Sequence, residues 1–85
     1  MEIRYKPSFL REFKKLPLEV QREAKERIKL FSHVRNHEQL RVHKLKGKLK
    51  HLQSFSVTYH HRIVFDYESK NVAVFIAIGT HEIYQ

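Results

Sequence analysis

Hydrophobic positions change period along this chain, and each change marks an element. Residues Glu2 to Lys6 alternate, with Ile3 and Tyr5 on one side, and predict an edge strand. Phe9, Phe13 and Leu16 then recur at helical spacing, giving a short helix that Leu16-Pro17 stops. Pro17 suits the first position of a second helix, and Glu19 favours its N-terminus. Val20, Ala24, Ile28 and Phe31 form one stripe, with Glu23 and Arg27 paired outside it, so this helix is expected to run to about Val34. The two helices are expected to form an antiparallel hairpin on a sheet.

Residues 35–50 are polar and read as irregular, apart from Val42 and Leu45. Three strand-like runs follow. Phe55, Val57 and Tyr59 alternate with Ser54, Ser56 and Thr58, and Ile63, Phe65 and Tyr67 alternate with Arg62, Val64 and Asp66. Val72 to Ile78 is apolar throughout, as in a central strand covered on both faces, and Glu68 to Asn71 supplies a hairpin turn before it. The order β-α-α-β-β-β predicts an α+β domain, with two N-terminal helices packed on a small, mainly antiparallel four-stranded sheet.

With 85 residues and 41% apolar content, the chain is expected to form a single domain, residues 1–85, with a thin core. It has no cysteine, which excludes a disulfide framework and thiolate metal sites. No apolar run approaches the roughly 20 residues of a membrane span, and the N-terminus lacks the apolar centre of a signal peptide, so a cytoplasmic location is expected. His33 and His37 stand four apart near the frayed end of a helix, and the positions that continue that spacing, Lys29 and Arg41, add no metal ligand, so no metal or other cofactor is expected.

Charge sharpens the picture. The net charge is +8, and residues 39 to 65 contain no acidic residue. That stretch holds Arg41, Lys44, Lys46, Lys48, Lys50 and Arg62, with His43, His51, His60 and His61 among them. Such a block attracts phosphates and gives salt-dependent affinity. RNA is the expected ligand. A merely solubilising surface is the plainer alternative, and no amphipathic helix coincides with the block to favour a membrane.

The segment His43-Lys44-Leu45-Lys46-Gly47, the strand start Arg62-Ile63-Val64-Phe65, and the ending Ile78-Gly79-Thr80-His81-Glu82-Ile83-Tyr84 together resemble the RelE/ParE toxin superfamily. The Gly-Thr-His ending with a terminal aromatic is similar to the YafQ branch, and the His-Arg-hydrophobe-Val-aromatic strand is similar to YoeB. The resemblance implies the toxin of a toxin–antitoxin pair, with a cognate acidic antitoxin as partner. RelE-like members cut mRNA, usually in the ribosomal A site, by attack of a ribose 2′-OH on the adjacent phosphate without a metal. ParE-like members instead inhibit DNA gyrase, which is the competing expectation.

Carried over by position, the resemblance makes Arg62 the transition-state arginine and His81 the C-terminal catalytic histidine. Tyr84 becomes the terminal aromatic, and His43 a candidate for acid–base chemistry. A salt bridge to Asp66 is the alternative role for Arg62. Where RelE places lysines this chain has Ser54 and Ser56, and YafQ has a histidine at the latter position. His60 or His61 can take over there, or Lys46, Lys48 or Lys50 can reach in. The expected catalytic set is therefore His43, His60, Arg62, His81 and Tyr84. Arg41, Lys44, Lys46, Lys48, Lys50 and His61 are expected to bind RNA.

Overall fold

In the computed structural model, which describes residues 1–80, β1 (Glu2–Tyr5) leads into α1 (Pro7–Lys14) and α2 (Leu18–Phe31). β2 (His43–Lys44), β3 (Gln53–Ser56), β4 (Arg62–Ser69) and β5 (Val72–Gly79) follow. Pro7 opens α1, where its missing N–H costs no hydrogen bond, and Arg11 and Lys14 sit in the last turn, where they oppose the helix dipole. Pro17 lies at the N-cap of α2, one position ahead of its expected place. The helix ends at Phe31 rather than near Val34. The Asn36 side-chain amide donates to the Leu30 carbonyl at 2.9 Å, and His33 leaves the helical region with φ −112° and ψ 116°.

The sheet has five strands in the order β1-β5-β4-β3-β2, one more than the alternation predicts. The extra strand, β2, lies in the stretch expected to be irregular and is only two residues long, too short to carry a period. β1 is an edge strand as expected, but it pairs with β5 in parallel, while the other neighbours are antiparallel. β4 and β5 meet at a tight turn, with Ser69 opposite Val72.

β1 covers β5 only from Val72 to Phe75. Beyond it, α1 covers the edge of β5. Ser8 Oγ donates to the Ile76 carbonyl at 2.8 Å, and Glu12 Oε1 accepts from the Ile78 N–H at 3.2 Å. Ser8 and Glu12 are one helical turn apart and so share a face of α1. They satisfy backbone groups that an uncovered edge leaves open.

The core lies between the helices and one face of the sheet. Phe9, Ala24 and Phe31 from the helices meet Phe55, Ile63, Phe65, Ala73, Phe75 and Ile78 from the strands. Phe31 is its hub. Its ring stacks on Phe55 at 4.8 Å and meets Phe65 and Phe75 edge-on at 4.8 and 5.3 Å. His37 stacks on the Phe31 ring at 4.3 Å and is held by the Phe31 carbonyl, 2.8 Å from its Nε2. Burial pushes the Tyr67 hydroxyl up from its ordinary value, so it stays protonated, 3.5 Å from His37 Nδ1. On the far side of the sheet β5 is only partly covered, contrary to the expectation of two covered faces: Val74 and Ile76 line an open cleft.

A ring packed on three strands at once leaves a large cavity when removed. Phe31→Ala is expected to cost about 3–5 kcal/mol, measured by urea unfolding followed by circular dichroism. Domains of this size have only about 5–15 kcal/mol in all. A cost below about 1 kcal/mol is incompatible with the packing described.

Candidate functional site

β3 was expected to run through Tyr59, but it stops at Ser56. The Val57 and Thr58 N–H groups both turn to the His61 carbonyl, at 2.9 and 3.3 Å, and so bend the chain away from the ladder. Thr58 Oγ1 then accepts from the His60 and His61 N–H groups at 3.2 and 3.1 Å. Its remaining hydroxyl proton points to His61 Nδ1 at 2.8 Å. A polar side chain closing its own turn outcompetes strand pairing here. Val57 stays buried, while Tyr59, expected beside it on the core face, is 88% exposed. Its ring touches that of His60 edge-on at 5.0 Å.

The face of the sheet away from the helices carries a second group of side chains. Pairing sets His43 opposite Ser54 and Ser56 opposite Arg62, and these partners share a face. Arg62 Nη1 donates to Ser56 Oγ at 2.7 Å, and among the described residues no ion pair joins Arg62 to Asp66. On its other side Arg62 pairs with Gly79, which has no side chain to crowd it.

His43 is fixed from its backbone side. Its Nδ1 lies 2.7 Å from the Arg41 carbonyl, which can only accept, so Nδ1 carries the proton. Nε2 is left as the nitrogen able to take one, 3.5 Å from Ser54 Oγ. Arg41 reaches this position with φ +60°, the left-handed region that non-glycine residues enter only when their surroundings hold them there. The strained residue and the candidate base are thus coupled through one hydrogen bond.

A cleft of about 650 Å³ gathers these pieces. It brings together Arg41, His43, His60 and Arg62 of the expected set, with Ser56 and Thr58 in its wall. Arg27 and Tyr59 also line it, and the sequence reading missed both. Arg27 looked like the outer member of a helix-surface pair, and that pair is present, with Nε 2.9 Å from Glu23. Tyr59 was hidden by an alternation that continues past the end of the strand.

His61 is turned toward Thr58 rather than into the cleft. Lys44, Lys46, Lys48 and Lys50 stand exposed outside it, the last three around a short 3₁₀ turn at Gly47–Leu49. His81 and Tyr84 lie outside the described residues. Among the described residues no cluster of three histidines, cysteines or carboxylates could hold a metal, and no helix is long and apolar enough to cross a membrane. A second cleft, about 490 Å³, contains Arg4, but that guanidinium is already paired with Glu2 at 2.7 Å and Glu68 at 3.1 Å.

Comparison with known proteins agrees with this architecture. The ParE-like toxin domain family matches residues 18–85. Among curated proteins no sequence is significantly similar. A copper-bound mutant toxin from Helicobacter pylori superposes with a TM-score of 0.76 at 21% identity, over 100% of this chain and 99% of that one. The YoeB–YefM complex from Staphylococcus aureus gives 0.74 at 19%, over 95% and 97%. YafQ from E. coli gives 0.71 at 17%, over 98% and 96%. At these identities the structures share the fold.

The backbone at position 41 provides a test free of any functional assay. Glycine occupies the left-handed region at no steric cost, whereas alanine keeps the strain. Arg41→Gly is therefore expected to be more stable than Arg41→Ala by about 1 kcal/mol in thermal or urea unfolding. Equal stabilities, or a more stable alanine variant, contradict a left-handed residue at this position.

Proposed function

The chain belongs to the ParE-like toxin domain family, and from that premise we propose that it is a toxin that cuts mRNA by ribose 2′-OH attack, held in check by a cognate acidic antitoxin. The observation that carries the proposal is the cleft joining Arg41, His43, His60 and Arg62, all drawn from the segment 39–65 that has no acidic residue. A surface built only to grip a protein has no chemical need for a tautomer-fixed histidine beside a serine-anchored arginine.

In the reaction, His43 Nε2 takes the proton of the 2′-OH as its oxygen bonds to phosphorus. The P–O5′ bond then breaks, leaving a 2′,3′-cyclic phosphate, and the 5′-oxygen receives a proton from His60 or His81. Near neutral pH imidazole serves both as base and, when protonated, as acid. Arg62 faces the extra negative charge of the phosphorane, and its hydrogen bond to Ser56 holds the guanidinium in place before substrate arrives. Ser54 and Ser56, which replace family cations, act here on His43 and Arg62 rather than on RNA. His81 follows by two residues the Gly79 that pairs with Arg62, which is the basis for keeping it in the catalytic set. Tyr84 and ribosomal A-site action belong to the same proposal. The exposed lysines at 44, 46, 48 and 50 add a phosphate-binding fringe outside the cleft.

The ParE-like description of the matching family favours a second reading, inhibition of DNA gyrase without nuclease activity. Primer extension on a reporter transcript separates the two. On the nuclease reading, wild type produces new transcript ends, and Arg62→Ala and His43→Ala each lower cleavage by about 10²–10³ while remaining folded by circular dichroism. His60→Ala and His81→Ala identify the acid, since its loss is the more severe of the two. Growth arrest without transcript ends, undiminished in the folded Arg62→Ala protein, assigns the chain to gyrase. Neutralising Lys46 and Lys48 together is expected to weaken RNA binding and to lower the salt slope by about 0.7 per lost phosphate contact. An unchanged slope leaves those lysines with solubility alone.

A further inference from the structure

Tyr59 is an aromatic ring that the fold goes out of its way to expose. It is 88% accessible, the highest of the large exposed hydrophobic side chains among the described residues, although the alternation of its segment favours the core face. The turn carrying it is not loose. Three hydrogen bonds converge on Thr58 Oγ1, and two more join Val57 and Thr58 to the His61 carbonyl. The ring meets that of His60 at nearly a right angle, with centroids 5.0 Å apart, and most of its surface stays exposed.

Its surroundings narrow what can cover it. Leu10, Leu18 and Val34, three of the other exposed large hydrophobics, do not line this cleft, and Tyr5 lines the opposite one. Among the described residues Tyr59 therefore does not extend an apolar patch of the kind that docks a protein. Its neighbours along the cleft are Arg41, His43, His60 and Arg62 instead. An isolated, rigidly held aromatic beside phosphate-binding cations is how proteins hold single-stranded nucleic acid: the cations take the backbone and the ring takes a base.

We propose that Tyr59 is a stacking platform for one unpaired nucleobase of the RNA whose backbone lies in the Arg41–His43–Arg62 cleft. This rests on the RNA-binding part of the function proposed above and adds a subsite to it at the β3–β4 turn. Stacking uses the π face and not the hydroxyl, and it requires a base free of a duplex.

The chain has no tryptophan, so Tyr59→Trp introduces a single indole at this position as a reporter. Its fluorescence is expected to be quenched saturably by a short single-stranded RNA made uncleavable with 2′-O-methyl groups, and far less by the same sequence in a duplex. With that oligonucleotide, Tyr59→Ala is expected to weaken affinity by roughly 5- to 150-fold, and Tyr59→Phe to match wild type. Thermal unfolding of each variant checks that the exposed site has not altered the fold. Cleavage is scored separately, as 2′,3′-cyclic phosphate ends made by the wild-type protein.

Quenching with an alanine penalty supports the platform whether or not ends appear. If ends are absent, the nuclease reading falls and the binding site stands. Ends made by wild type, with no quenching and full affinity in Tyr59→Ala, overturn the platform and leave the nuclease reading intact. A wild type that neither binds nor cuts RNA overturns both, and a Phe variant as weak as the Ala variant overturns stacking in favour of a hydroxyl contact.

Discussion

The packing of one ring, that of Phe31, governs where the rest of the molecule can be. It stands at the last position of α2, touches strands β3, β4 and β5 through Phe55, Phe65 and Phe75, and carries His37 on its other side. Arg27 lies one helical turn before it, so the contact that docks the helix also sets Arg27 at the cleft. The chain that leaves Phe31 is held by His37 and then by Leu40, which is buried, before it reaches Arg41 and His43. One wall of the candidate site is thus an extension of the core, and close packing passes any misplacement of the ring to the site.

The other wall comes from the sheet, and here register decides. Ser56 opposite Arg62 and His43 opposite Ser54 put a short hydroxyl beside each of two side chains of the candidate site. Slipping either pairing by one residue turns these side chains toward the Phe31 cluster and sends apolar ones outward, which the buried face forbids. The same constraint makes a basic surface tolerable. Cations that repel one another are held on strands whose opposite side is a tightly packed apolar layer.

The edges of this small sheet are handled by economical means. β1 is too short to cover β5, and α1 supplies the missing partners through Ser8 and Glu12. At the far edge β2 is only two residues long and is followed by a basic loop, a form of edge that resists pairing with other chains.

Much of the architecture is local and was legible in the chain. The helical stripe ending in Phe31, the proline that separates the helices, the alternation from Ile63 to Tyr67 and the acid-free basic block all depend on near neighbours, whose spacing a sequence records directly. Arg41, His43, His60 and Arg62, which meet in the cleft, could be named from the basic stretch and from the family resemblance, both carried by residues close in sequence. What lay beyond the sequence depends on partners distant along the chain. The parallel pairing of β1 with β5, the bracing of that edge by α1, the service of Ser54 and Ser56 to His43 and Arg62, and the entry of Arg27 into the cleft follow from tertiary contact. Tyr59 shows the boundary most clearly. Its alternation reads as core because period is blind to where pairing stops, and pairing stops at Ser56 because the Thr58 hydroxyl and the His61 carbonyl capture the backbone first.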